Sequence, residues 1–367
     1  MPTTAVLQCF APWIFPRDYH DGCRRWAEAV SRLSLPSRCR DYSVERESSL
    51  VCQTAWLGPE DATRVVILIG GTHGVEGYTG TAVQVDVFQL MDSGQWLLPE
   101  DTALLCINAL NPWGYANNRR CDGQGIDVNR NFVDFFQPLP SNPGYLHLRP
   151  LLGIADRAAR SRALQAFAAR EGGREYEIAF SGGQYVDAAG PFYGGMEPSF
   201  SRCVIDSLIA DNGLAERQLA VIDIHTGLGP YGYGEIICDH PPGSTSEAAA
   251  KSWYGPGCGV PASGTSCSVP KHGLLDYAWH DVMTGGSCFV TLEFGTLGTD
   301  ALFEVLLDEA AAWAQGAPPE TLRQEVSRAM RSHFYPDDPA WREAVIFRAR
   351  QVIQQALWGL TGRGMVA

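Results

Sequence analysis

His73 and Glu76 lie three residues apart in the glycine-rich stretch GGTHGVEG, residues 70–77. An H-x-x-E spacing holds an imidazole and a carboxylate within one turn of chain. A borderline cation such as zinc accepts that mixed nitrogen and oxygen set. The bland alternative is a strand-to-helix turn whose acid is favoured by the helix dipole. His225 ends the apolar run VIDIH, residues 221–225, just before Thr226 and Gly227. Alone it reads as a hydrogen-bonded structural histidine. Joined to the first cluster, it completes two neutral imidazoles and one carboxylate, a set that leaves catalytic zinc a position for water. Glu293 sits inside CFVTLEF, residues 288–294, where a carboxylate is costly unless a charge or metal compensates it. Beside an activated water it would serve as general base and then hand the proton to the leaving amine. A buried structural ion pair is the competing explanation.

A polar stretch supplies the other candidates: NPWGY at 111–115, Arg119 and Arg120, then DVNRNF at 127–132. The arginine fork suits a carboxylate or a developing oxyanion. In that reading Asn129 and Arg130 grip a substrate carboxylate, while Arg120 or its neighbour Arg119 polarises the scissile carbonyl. A solvated arginine loop accounts for the same residues equally well. The turn at 70–77 could also be read as a phosphate cradle, but it has neither G-x-G-x-x-G spacing nor a nearby lysine.

These groups need elements that bring them together. RVVILIG (64–70), ALLCIN (103–108), LAVIDI (219–224) and CFVTLEF (288–294) are short, continuously apolar runs of the kind buried on both faces of a sheet. The stretches between them are long enough for helical crossovers, which predicts an α/β fold around a mostly parallel sheet. Three of these runs lead into a candidate site residue, and ligands of open α/β sheets bind beyond the carboxyl ends of the strands. Helical spacing of apolar residues predicts helices over 18–33, 79–91, 154–171, 202–212, 301–315 and 339–358. Residues 42–56 read as edge strands. Two stretches rich in glycine and proline, 182–198 and 239–264, read as long loops. The chemistry is spread from residue 73 to residue 293. One catalytic domain is therefore expected: a covering segment at 1–60, a core at 61–300 with insertions near 133–218 and 239–270, and terminal helices over 301–367.

Composition narrows the partners. Of 367 residues 45% are hydrophobic and 19% charged, the balance of an ordered globule. The net charge is -13, and only Lys251 and Lys271 are lysines, so no basic stripe is available to follow a nucleic-acid backbone. Eleven cysteines without a C-x-x-C pair fit a reducing compartment. Residues 1–17 lack the pattern of a secretory signal, and no apolar run approaches the length of a membrane span. The expected location is the cytoplasm, with no membrane partner and oligomeric state left open.

In their order along the chain, HGVE, NPWGY, DVNRNF, DIHTG (223–227) and EFGT (293–296) resemble the zinc carboxypeptidase superfamily. This carboxypeptidase A-like group includes the succinylglutamate desuccinylase and aspartoacylase deacylases. GGTHGVEGYTG most resembles a peptidase-like branch catalogued as a domain of unknown function. The resemblance spans about residues 64–300. It implies a mixed sheet of about eight strands between helices and one zinc ion on His73, Glu76 and His225. It further implies carbonyl polarisation by Arg120, carboxylate binding by Asn129 and Arg130, general base action by Glu293, and Asp127 orienting His73. The classical enzymes carry a mobile tyrosine before the catalytic glutamate; neither Tyr254 nor Tyr277 has matching flanks. The expected reaction is hydrolysis of an amide or peptide bond next to a free carboxylate. Deacylation of N-acyl amino acids is the nearest alternative, and a non-catalytic metal-binding module is the more distant one.

Overall fold

The computed structural model describes residues 10–44 and 49–362, so the first nine residues of the stretch read for a signal lie outside the described residues. Eight strands form a single sheet: β1 (Ser37–Ser43), β2 (Val51–Leu57), β3 (Arg64–Gly70), β4 (Thr102–Asn108), β5 (Gln218–Gly227), β6 (Gly234–Ile237), β7 (Cys258–Gly259) and β8 (Cys288–Gly295). Their order across the sheet is β1-β2-β4-β3-β5-β8-β6-β7. The four expected apolar runs become β4, β3, β5 and β8, parallel neighbours at the centre of the sheet. Antiparallel β2 and β6 flank them. Residues 42–56, expected as edge strands, hold the end of β1 and nearly all of β2. Of β1 and β2, only β1 lies at an edge; β2 pairs on both sides and is almost wholly buried.

Helices cover both faces, which is why the central strands need no polar side. The larger helices are α1 (Tyr19–Ser31), α2 (Gly77–Asp92), α3 (Pro143–Leu152), α4 (Arg157–Glu171), α5 (Gly173–Ser181), α6 (Phe200–Asp211), α7 (Thr245–Tyr254), α8 (Thr299–Trp313), α9 (Glu320–Phe334) and α10 (Pro339–Thr361). On one face, α1, α2 and α10 press Trp26, Phe88, Val345 and Ile353 onto Val66, Leu68, Ile222 and Val290. On the other, Val204, Ile205 and Leu208 of α6, with Leu275 and Trp279, meet Val65, Ile67, Val221 and Phe289. Local signals fix the helix starts. Asp18 accepts from the Asp21 N–H ahead of α1, and Asp338 caps α10, whose first residue is Pro339.

The stretch 239–264, read as a loop, contains α7 and β7. Ser244 caps the alanine-rich segment TSEAAAKSWY, and the surrounding glycines and prolines had disguised it. Helices α3, α5 and α9 were also unexpected; α9 buries Met330 and Phe334 against α8. Residues 182–198 stay largely irregular, pinned where Gln184 bridges Tyr193. Among the described residues no helix is long and apolar enough to cross a membrane.

Candidate active site

The turn after β3 can approach its neighbours because it is built of glycine. Gly71 has φ +79, a left-handed conformation that side chains avoid. A Cβ on Gly74 would stand 2.1 Å from the carbonyl carbon of Gly114. The bare backbone therefore nests against NPWGY, with the Gly74 and Val75 N–H groups donating to the carbonyls of Arg120 (3.2 Å) and Arg119 (2.8 Å). His73 and Glu76 are thereby tied to the arginine segment. His225 and Glu293 come from adjacent parallel strands and are direct register partners, so their side chains leave the same face of the sheet.

The structure brings His73, Glu76 and His225 together. All three are buried, and one donor atom from each lies within 4.8 Å of the others. His73 Nδ1 is 2.9 Å from Glu76 Oε1, His225 Nδ1 is 3.2 Å from Glu76 Oε2, and the two Nδ1 atoms are 3.1 Å apart. The opposite nitrogens point at acids: His225 Nε2 is 2.6 Å from Asp223 Oδ2, and His73 Nε2 is 3.3 Å from Asp127 Oδ1. The second contact is poorly aligned for a hydrogen bond. Asp223 also accepts from the Thr72 hydroxyl at 2.8 Å, and Glu76 Oε2 from the Thr226 N–H at 2.9 Å.

Two facing ring nitrogens and a shared carboxylate, with each outer nitrogen turned to an acid, are the donor chemistry expected around one zinc-like divalent cation. Without a cation the acids act on the rings instead. Burial alone would lower the His225 pKa, yet Asp223 and Glu76 hold it well above its ordinary value. Burial works against ionisation of Glu76 and Asp127 as well. His73 and His225 nevertheless keep Glu76 below the usual carboxylate range, and Arg120, Arg130 and His73 do the same for Asp127.

Glu293 faces the same space. One of its oxygens accepts from the Leu228 N–H at 2.9 Å, and burial together with the Glu76 charge pushes its pKa up to about 7. Arg120 lines the cavity and donates through Nε to Asp127 at 2.8 Å. Arg119 turns away: it pairs with Glu309 and lies over the ring of Trp313. Of the two candidates, Arg120 is therefore the one beside the ligand cluster. Asn129 lines the cavity, with its side-chain oxygen accepting from the Leu275 N–H at 2.7 Å. Arg130 is fully buried and lines the cavity. Among the described residues its donors meet only backbone carbonyls, of Ser181 (2.8 and 3.2 Å) and Asn129 (2.5 Å). Burial lowers its pKa to about 10.

Several cavity residues escaped the sequence reading. Lys271 reaches in, donating to Ser268 Oγ and to the Val269 carbonyl at 2.9 Å, and burial lowers its pKa to about 8. Being one of two lysines in the chain was the available hint. Asp239 and Asp276 also line the cavity. Asp223 had a clearer signal: an acid inside an apolar strand, two residues before His225, must share its face. Tyr254 is buried in the core, and Tyr277 donates to the Lys271 carbonyl at 3.1 Å; neither lines the cavity.

The chain is similar to several solved structures at low identity. For the carboxypeptidase A from Helicoverpa armigera the identity is 14% and the TM-score 0.49, covering 87% of this chain and 75% of that one. Bovine thrombin-activatable fibrinolysis inhibitor gives 11% and 0.48, covering 94% and 99%. The succinylglutamate desuccinylase from Chromobacterium violaceum gives 13% and 0.37, covering 86% and 77%. At such scores the likeness carries no inference about activity. No curated protein sequence matches the chain significantly. Residues 15–348 match the family described as "Protein of unknown function (DUF2817)", and with nine-tenths of its length so matched the chain belongs to that family.

Proposed function

We propose that this chain is a zinc-dependent hydrolase that cleaves a peptide or amide bond next to a free carboxylate. The reading is carried by one observation: Glu293 stands in register beside His225, on the face where the donor atoms of His73, Glu76 and His225 converge. Zinc bound by those three residues supplies Lewis acidity toward the scissile carbonyl and toward water. Glu293 takes the proton from the attacking water and delivers it to the leaving nitrogen, which suits a carboxyl group whose pKa is raised to about 7. Arg120, fixed by Asp127, stabilises the oxygen that gains charge. Arg130 binds the substrate carboxylate, supported by its burial without an acidic partner among the described ion pairs. Asn129 holds the Leu275 backbone beside it and turns its amide nitrogen to the same carboxylate. Asp127 and Asp223 orient the two imidazoles.

Zinc-reconstituted protein should be assayed on C-terminal dipeptides, on N-acyl amino acids, and on the carboxyl-amidated form of each. Hydrolysis of at least one free-acid set is expected, with a loss of about 100-fold on amidation, since a charged hydrogen-bonding pair is removed. The two acid sets separate a peptidase from a small-molecule deacylase. Zinc-loaded protein that turns over neither set, or that ignores amidation, would refute the reading.

A further inference from the structure

The cavity continues inward past Glu293. On β8 the residues sharing its face are Thr291 and Phe289, and antiparallel β6 pairs Glu235 with Glu293 and Ile237 with Thr291. Asp239 follows two residues after Ile237, just past the end of β6, and its neighbour His240 accepts the Phe289 N–H at 2.8 Å. Phe289, Thr291, Glu293, Ile237 and Asp239 all line the cavity, which therefore descends four strand residues, about 13 Å. Its lower walls are apolar, from Ile237, Val269, Leu274 and Phe289, but its inner end carries the carboxylates of Asp239 and Asp276.

Asp276 is 2% exposed, and neither of its oxygens has a well-aligned donor among the described residues. His280 Nε2 stands 3.2 Å from Oδ2 but off the hydrogen-bonding axis. Burial, then the charge of Asp276, pushes Asp239 up to about 7, and burial raises Asp276 too. Lys271 is near enough to temper Asp239, but its hydrogen bonds go to Ser268 and Val269. Arg130 gives its donors to carbonyls. A buried acid, Asp276, and a half-buried one, Asp239, facing each other at the end of an apolar sleeve are costly without a positive charge between them.

The geometry points to a substrate whose leaving group bears a cation on an aliphatic stem, an alkylammonium or guanidinium held between Asp239 and Asp276. The stem lies against Ile237, Leu274 and Phe289. This specifies the leaving group of the hydrolase reading above and rests on it.

Free lysine, arginine and norleucine should be titrated calorimetrically into the zinc-loaded protein, with hydrolysis of the corresponding N-acyl compounds measured separately. Lysine or arginine is expected to bind at least about tenfold more tightly than norleucine. Asp276→Asn and Asp239→Asn should each reduce that preference about tenfold, with thermal melting reporting whether each variant folds. Should neither variant fold, the wild-type preference alone decides. Norleucine binding as tightly as the basic amino acids, a preference that survives in both variants, or no binding of any of the three would overturn the inference. Binding preference without hydrolysis of any amide would leave the acidic pocket standing and reject the hydrolase reading. Efficient hydrolysis of neutral amides alone would do the reverse.

Discussion

His225 meets Glu76 through Nδ1 and Asp223 through Nε2, so its loss removes one of the three proposed metal ligands and leaves two buried acids without their shared partner. His225→Ala is expected to abolish the rise in melting temperature that zinc gives the wild type; an unchanged rise would remove His225 from the ligand set. Glu293 is not a ligand in this scheme. Glu293→Gln should retain a full equivalent of zinc by metal analysis while kcat falls by about 10²–10⁴. Arg130→Lys, losing the planar fork, should raise KM about tenfold with little change in kcat. A pH effect arises away from the proposed metal ligands. His240 accepts the Phe289 N–H at 2.8 Å, and burial, with His280 nearby, lowers its pKa from 6.5 to about 3. In that window the unfolded chain binds the proton and the folded one does not, so stability is full above pH 6.5 and drains as pH falls toward 3. Urea melts of His240→Gln should show a flatter acid slope than the wild type. Most of these residues were legible because an ionisable group at the end of an apolar run stands out. Asp239, Asp276 and Lys271 were not, since they end short segments (EIICD, GLLD and VPK) in separate parts of the chain that only the fold brings to one cavity.

At the scale of elements, the HGVE turn and the NPWGY segment fit together only because Gly74 has no side chain. Gly74→Ala should cost about 1–3 kcal/mol of stability by overpacking and should weaken zinc binding as well, because the same turn carries His73 and Glu76. A variant of wild-type stability and zinc affinity would show that the contact is soft. The central strands were readable from their unbroken β-branched runs, which only a sheet covered on both faces tolerates. Helix α7 was not, because its ten residues lie between glycine and proline clusters that dominate any compositional reading. Nor was α9, whose sequence is strongly charged and buries few residues. The interior place of β2 was equally hidden, since pairing order across a sheet depends on contacts distant in sequence.

Over the whole molecule, α10 ties the end of the chain to the sheet and to α2. Arg350 on α10 makes two hydrogen bonds to Asp86 on α2, at 2.6 and 2.7 Å, with both side chains buried. Arg350→Met leaves that acid without its guanidinium, and denaturant unfolding should register a loss of about 3–5 kcal/mol. His73, Glu76, His225 and Glu293 hang from β3, β5 and β8, which are neighbours in the middle of the sheet. Interior strands exchange their amide hydrogens last, when the entire structure opens. Heating should therefore not silence this protein before it melts: loss of zinc affinity and loss of the cooperative fold should share one midpoint. A protease that trims the outer loops should find the His73, Glu76 and His225 cluster intact until the final transition.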